Sequence, residues 1–212
     1  TLLKVLHRIL DEDHTPLAER ETFIAHLNLA QSETMRCSRI VSGLLDFSRQ
    51  SRLELAEFDF NEVIDKTIAV IVHQLEVGNV TLERQLDPNL PILLMDIGKI
   101  QQCAMNMILN AKDAMPDGGT LTIQTEFHPE ANQVVLVIAD TGVGIPPENL
   151  TRIMDPFFTT KETKGLGLGL SVAYGIVQEH GGNIEVASTC GEGTTFRVRL
   201  PLRQAQPGND SP

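Results

Sequence analysis

Gly165, Gly167 and Gly169 alternate in the stretch Gly165-Leu166-Gly167-Leu168-Gly169-Leu170-Ser171, and a helical pattern, Leu-Ser-Val-Ala-Tyr-Gly-Ile, follows at once. A plain flexible linker would not run straight into a helix. Backbone N–H groups in such a loop, with a helix N-terminus behind them, make a site for phosphate oxygens. The spacing is neither Gly-x-Gly-x-x-Gly nor a Walker A loop, so the Rossmann and P-loop architectures are excluded. The rest of an anion site must come from other parts of the chain.

Three further clusters are suited to that task. Asn106 and Asn110 are four apart in Asn106-Met-Ile-Leu-Asn110-Ala-Lys112-Asp113, which places both amides on one face of a helix. A neutral amide oxygen is a hard ligand for Mg²⁺ and leaves the ion's charge available to phosphates. Asp140 ends an apolar strand, Val134-Val-Leu-Val-Ile-Ala139, and runs into Gly142, Gly144 and Ile145. A carboxylate at the bottom of an apolar slot can accept the exocyclic amine of adenine, and the glycines let backbone approach the base. The local alternative is an aspartate opening a turn before Pro146-Pro147 starts a helix. The third cluster is Asp155-Pro-Phe157-Phe158-Thr159-Thr160-Lys161, whose two phenylalanines could equally be core anchors.

In this order and at these spacings the four clusters resemble the N, G1, F and G2 boxes of sensor histidine kinases, within the wider family of Bergerat-fold (GHKL) ATPases. The resemblance extends from about residue 32 to residue 202. It implies that the chain binds Mg-ATP. Asn110 would be the metal ligand and Asn106 would line the phosphate side. Some kinases carry a phosphate-binding Lys three residues beyond the metal Asn; Asp113 stands there, which leaves Lys112 as the candidate cation. Asp140, with Gly142, Gly144 and Ile145, would receive adenine. Phe157 and Phe158 would hinge a lid to which Thr159, Thr160 and Lys161 add polar and cationic contacts, and Gly165 to Leu170 would cradle phosphates. Gly193-Thr194-Thr195-Phe196 is similar to the family's last small motif, with Thr195 taken as the residue facing the adenine pocket. The catalytic set on this reading is Asn106, Asn110 and Lys161.

The first 52 residues read as a helical hairpin. Leu2, Leu6 and Ile9 form one apolar stripe, Pro16 marks a turn, and Cys37, Ile40, Leu44 and Phe47 form a second stripe. Two such helices cannot bury their stripes alone, and pairing with a second copy into a four-helix bundle would do so. Ser32 to Arg49 resembles the second helix of the dimerisation and phosphotransfer domain of histidine kinases. The first helix of that domain carries His-(Glu/Asp) with Pro-Leu about five residues on, and this sequence begins where the residue after that Pro-Leu would fall. His7 is followed by Arg-Ile-Leu rather than by an acid and a Pro, and His14 precedes Thr15-Pro16-Leu17 in the turn; they read as surface and turn residues. The expectation is a truncated kinase core, a homodimer through residues 1–52, with a response regulator receiver domain as partner but little autophosphorylation of its own. The alternatives are a GHKL ATPase and a non-catalytic, nucleotide-sensing dimeric scaffold.

Composition removes other classes. The 212 residues carry 17 basic and 28 acidic groups, a formal charge of −11, with one Tyr and no Trp. That chain has neither the basic footprint nor the stacking surface of a nucleic-acid binder. No apolar run reaches the ~20 residues of a membrane span, so membrane attachment would come only through regions not present here, and the expected setting is cytoplasmic. Cys37, Cys103 and Cys190 form no Cys-x-x-Cys pair, which argues against zinc.

From residue 53 to 205 helical and strand patterns interleave. Helices are expected from Asp59 or Asn61 to about Leu75, after Asp96, and over Ser171–His180. Strands are expected over Val80–Gln85, Pro91–Met95, Thr120–Phe127, Gln133–Asp140, Asn183–Thr189 and Thr194–Leu200. This is an α+β, two-layer α/β sandwich, followed by a tail at 206–212.

Overall fold

The computed structural model describes Ile24, His26, Leu27, Ala30, Thr34 and residues 53–160 and 166–202. The chain divides into two compact units, Thr1–Arg49 and Gln50–Pro212. In the first, the five described residues are helical, and the Thr34 hydroxyl donates to the Ala30 carbonyl at 2.8 Å. The expected hairpin turn, His7, His14 and the bundle stripes lie outside the described residues, as does the tail at 206–212.

The second unit begins with a short strand, β1 (Ala56–Phe58), and then α1 (Phe60–Val77). Asp59 caps α1, its carboxylate accepting the Asn61 and Glu62 N–H groups, two of the donors that a helix start leaves without an internal partner. Phe60, Val63, Ile64, Ile68, Ile71 and Leu75 recur at helical spacing and form the buried stripe. After Gly78 the chain enters β2 (Val80–Leu86) and β3 (Leu93–Met95), then α2 (Ile97–Asp113), capped by Asp96. Next come β4 (Gly119–His128), β5 (Gln133–Asp140), a short helix α3 (Pro147–Leu150), α4 (Gly169–Glu179) and the hairpin β6 (Asn183–Thr189) and β7 (Gly193–Pro201).

The main sheet has the order β2-β4-β5-β7-β6. Its pairs are antiparallel except β2 with β4, which run parallel because β3 and α2 supply the crossover such a pair requires. β1 and β3 form a separate two-stranded ribbon. Helices α1, α2 and α4 cover one sheet face, and their stripes join Val134, Leu136, Ile138, Phe196, Val198 and Leu200 in the core. Val135 and Val137 alternate to the other face yet are buried. Val135 is flanked by Glu126 and Arg199, and Val137 by Gln124 and Arg197, whose long apolar stems can shield it.

The mixed α/β fold matches the sequence expectation, with local differences. β1 is only three residues long and exposed, too short to show a period. β3 begins at Leu93 rather than Pro91, since Pro has no N–H to give a ladder. α4 starts at Gly169, two residues early, and ends at Glu179, with His180 as its C-cap.

Phe60→Ala should lower stability by about 3–5 kcal/mol, because the whole ring is buried. Val70→Ala, on the exposed side of α1, should stay within about 0.5 kcal/mol. Denaturant midpoints at equal slope measure both.

Candidate active site

Asp140 closes β5 with only 7% of its surface exposed, and its register partners are Leu121 on β4 and Thr194 on β7. Its Oδ1 accepts the Gly142 N–H at 2.9 Å, and the Thr194 backbone N–H also donates to the carboxylate. Burial pushes the Asp140 carboxyl above its ordinary value, while those two donors pull in the other direction. The result is a buried, preorganised acceptor.

The loop after Asp140 is pinned on two sides. Val143 N–H donates to the Ala114 carbonyl at 2.9 Å, tying the strand end to the C-cap of α2. A Cβ at Gly142 would stand 2.4 Å from that same carbonyl, so only glycine lets the two backbones meet. On the other side, Ile145 N–H donates to Ser188 Oγ at 2.8 Å. Ser188 Oγ donates to the Gly193 carbonyl at 2.8 Å and lies 2.9 Å from Thr194 Oγ1.

That network corrects one sequence expectation. Thr195 points to the sheet face away from the core, in register with Ala139, while Thr194 is buried and pairs with Asp140. Strand alternation puts the adjacent threonines on opposite faces, so Thr194 rather than Thr195 lies beside Asp140. Ser188 was also missed. Nothing in its local sequence marks it, because its partners come from loops 43 and five residues away.

On α2, Asn106 and Asn110 are half-buried, one turn apart. Asn106 Nδ2 donates to the Gly169 carbonyl at 3.1 Å, which ties the middle of α2 to the first residue of α4. Lys112 is directed elsewhere. Its Cε lies 3.4 Å from the position a Cβ on Gly78 would take, so its stem runs along the turn after α1. Two residues beyond Asn110 is a rotation of about 200° around a helix, which removes Lys112 from the asparagine face. Asp113 is exposed at the last position of α2.

The segment before α4 is folded onto itself. Phe157 N–H donates to the Gly167 carbonyl at 3.1 Å, with Phe157 at φ 68° and mostly exposed. Phe158 packs against the core, and the Arg152 guanidinium sits 4.7 Å from its ring centroid. Gly167 has φ 67°, and a Cβ there would lie 2.4 Å from the Phe158 carbonyl. Leu168 is buried and leads into α4 with no side-chain cap, so the first-turn N–H groups have no side-chain acceptor at the cap position. Leu166 and Leu170 are half-buried, and Gly169, Thr159 and Thr160 are exposed. Lys161 and Gly165 lie outside the described residues.

Among the described residues no group of three or more His, Cys, Asp and Glu could hold a metal ion. The donors at this site are amide oxygens, which fit a hard cation with phosphate oxygens completing its shell. Cys103, buried against α4, has its thiol pushed up to about 12 by burial and is chemically quiet, whereas Cys190 is exposed.

Known proteins share this fold. The family model described as histidine kinase-, DNA gyrase B-, and HSP90-like ATPase matches residues 95–204. Sensor kinase CckA of Brucella abortus (strain 2308) is 37% identical over 201 residues, covering 88% of this chain and 21% of that protein. Sporulation kinase E of Bacillus subtilis (strain 168) is 31% identical over 182 residues, 86% of this chain and 24% of that one. The chain thus spans about a fifth to a quarter of these relatives. Among solved structures, the catalytic domain of histidine kinase ThkA aligns with a TM-score of 0.64 at 30% identity, covering 70% of this chain and 96% of that chain. ThkA in complex with response regulator protein TrrA aligns with a TM-score of 0.73 at 26% identity, covering 95% of this chain and 57% of that one. The chain belongs to the histidine kinase-, DNA gyrase B- and HSP90-like ATPase family, and its second unit is the ATPase domain of a histidine kinase.

Proposed function

We propose that this chain binds Mg-ATP with adenine on Asp140 and the phosphates between α2 and the start of α4. Its parent protein would pass the γ-phosphoryl group to a histidine on a dimerisation helix and then to an Asp of a response regulator. The observation that carries this reading is the convergence of three chain segments at one place. Asp140 closes β5, its loop is tied to the end of α2 at Ala114, and α2 is tied at Asn106 to the start of α4 at Gly169. We take the buried carboxylate, the two amides and the uncapped helix start to face a common region.

Each part has a physical role. Asp140 accepts the exocyclic amine of adenine, and guanine, which offers a carbonyl at that edge, leaves it unsatisfied. Thr194 and Gly142 hold the carboxylate in place. The first-turn N–H groups of α4 receive phosphate oxygens. Asn110 would hold Mg²⁺, which when bound neutralises phosphate charge. Asn106 fixes α4 against α2, so phosphate donors and adenine acceptor keep a set separation. Catalysis would be mostly positioning and charge neutralisation. Thr159, Thr160 and Lys161 would add contacts to the phosphates. Response regulator binding is supported by the ThkA–TrrA complex, dimerisation by the two apolar stripes in residues 1–52. Among the described residues no helix is long and apolar enough to cross a membrane, and a cytoplasmic setting fits the kinase chemistry.

Asp140→Asn should weaken ATP binding roughly 10–150-fold, the worth of a hydrogen bond to a charged acceptor. Calorimetric titration with and without Mg²⁺ measures this, and near-wild-type affinity would contradict the adenine assignment. The empty domain should respond in the opposite sense. A carboxyl raised on folding favours the native state at low pH, and this contribution is lost as pH rises through its folded-state value. At pH 7.5 Asp140→Asn should therefore melt at or above wild type, and the gap should close as pH falls toward the ordinary value of 3.8. Gly167→Ala places a methyl group against the Phe158 carbonyl at positive φ and should cut ATP affinity at least about tenfold while leaving the melting temperature within a few degrees.

A further inference from the structure

His180 is a buried titratable group that this mechanism does not use. It is 4% exposed at the C-cap of α4. Its Nδ1 lies 2.8 Å from the Ile176 carbonyl, and its Nε2 lies 3.0 Å from the Asp96 backbone N. A carbonyl can only accept and a backbone N–H can only donate, so these partners dictate one tautomer: protonated at Nδ1, lone pair at Nε2, ring neutral.

The position of that bond matters for the site. Asp96 caps the start of α2, and Asn106 further along the same helix donates to Gly169 at the start of α4. Ten residues separate Asp96 from Asn106 and eleven separate Gly169 from His180. At ~1.5 Å rise per residue these spans are about 15 and 16.5 Å. The helices are antiparallel neighbours pinned at both ends, at the nucleotide end by Asn106–Gly169 and at the far end by Asp96–His180. Between the pins lies an apolar seam that includes Cys103 and Ala173. The far pin also gathers the start of the unit: Asp96 Oδ2 accepts the Glu54 N–H, and Oδ1 accepts the Lys99 N–H, both at 3.1 Å.

We propose that neutral His180 is a positioning residue that sets the register of α2 against α4, and that protonating it loosens the nucleotide site. The proposal rests on the nucleotide reading above. Protonation puts an N–H at Nε2 facing the Asp96 N–H, donor against donor, and the bond is lost. The acceptor on the same residue is the Asp96 carboxylate, which holds the Glu54 and Lys99 N–H groups, and turning the ring toward it gives up the bond to the Asp96 N–H. The charged groups linked to this pin are Asp96; Lys99 and Glu54, whose N–H groups bond the Asp96 carboxylate; and Glu179, adjacent to His180 in the chain. Lys99 Nζ is paired with Glu179 Oε2 at 2.6 Å. On the β7 side, Arg199 is held by Glu185.

The test is Mg-ADP titration calorimetry between pH 8 and pH 5.5 on wild type, His180→Gln and His180→Ala. Gln offers a neutral acceptor that does not titrate, and nucleotide protonation is common to all three proteins. Expected is near-equal affinity of wild type and His180→Gln at pH 8, with wild type weakening about tenfold more on acidification. His180→Ala should be weak throughout. Superimposable wild-type and His180→Gln profiles would overturn the proposal, as would His180→Ala binding like wild type at pH 8. If wild type binds no nucleotide at pH 8, the functional reading fails instead. Hydrogen exchange of the Asp96 amide then decides the positioning claim, since it should accelerate on acidification in wild type relative to His180→Gln. If neither variant folds, ¹⁵N shifts of the wild-type His180 ring serve: a ring protonated at Nε2 at pH 8 would sink the idea.

Discussion

Helix α2 must satisfy two demands at once, and the rest of the domain follows from how it does so. One stripe, Ile100, Cys103, Ala104, Met107, Ile108 and Ala111, is buried against the sheet, α1 and α4. The small side chains at Cys103, Ala104 and Ala111 let neighbours approach closely. The adjoining edge carries Asn106 and Asn110, which would be poor choices for a helix with no task beyond packing. Its two ends are equally committed: Asp96 binds the start of the unit and α4, and Ala114 binds the loop after β5. Displacing α2 would therefore disturb the loop after Asp140 and the start of α4 together.

The polar groups around this helix are closed into small circuits. Asp140, Thr194, Ser188 and Ile145 form one, and Asp96, His180, Lys99 and Glu179 another. Among the described residues no buried side-chain nitrogen or oxygen lacks a partner. Satisfied circuits fix geometry, because an alternative packing leaves at least one buried donor or acceptor unmatched. Asp140 is where this economy is most strained, since its carboxylate is buried without a cation and so is suited to a ligand that brings a donor.

Much of this was legible in the sequence because it is local. The stripe of α2, its Asp96 cap and the bounds of β5 follow from helical period, capping chemistry and an apolar run. The glycine pattern before α4 was legible for the same reason. What escaped was non-local or depended on phase. Thr194 and Thr195 differ only in which sheet face they meet, and one residue of register separates them. Lys112 is near the asparagines in sequence but runs to Gly78. His180 looked like the last residue of a helix because its partner, Asp96, is 84 residues away. Ser188 is ordinary until the sheet brings the two loops to it.

If adenine sits on Asp140 and phosphates at the start of α4, joined across α2, nucleotide must be felt at both ends of that span. Backbone amide shifts followed during Mg-ATP titration of isotope-labelled protein test it most directly. The largest changes are expected at Gly142, Val143 and Thr194 at one end and at Asn110, Leu168 and Gly169 at the other, with Lys112 and the outer-face Arg197 little moved. Largest changes on the outer sheet face around Thr195 and Arg197, or none at Asp140–Ile145, would contradict it.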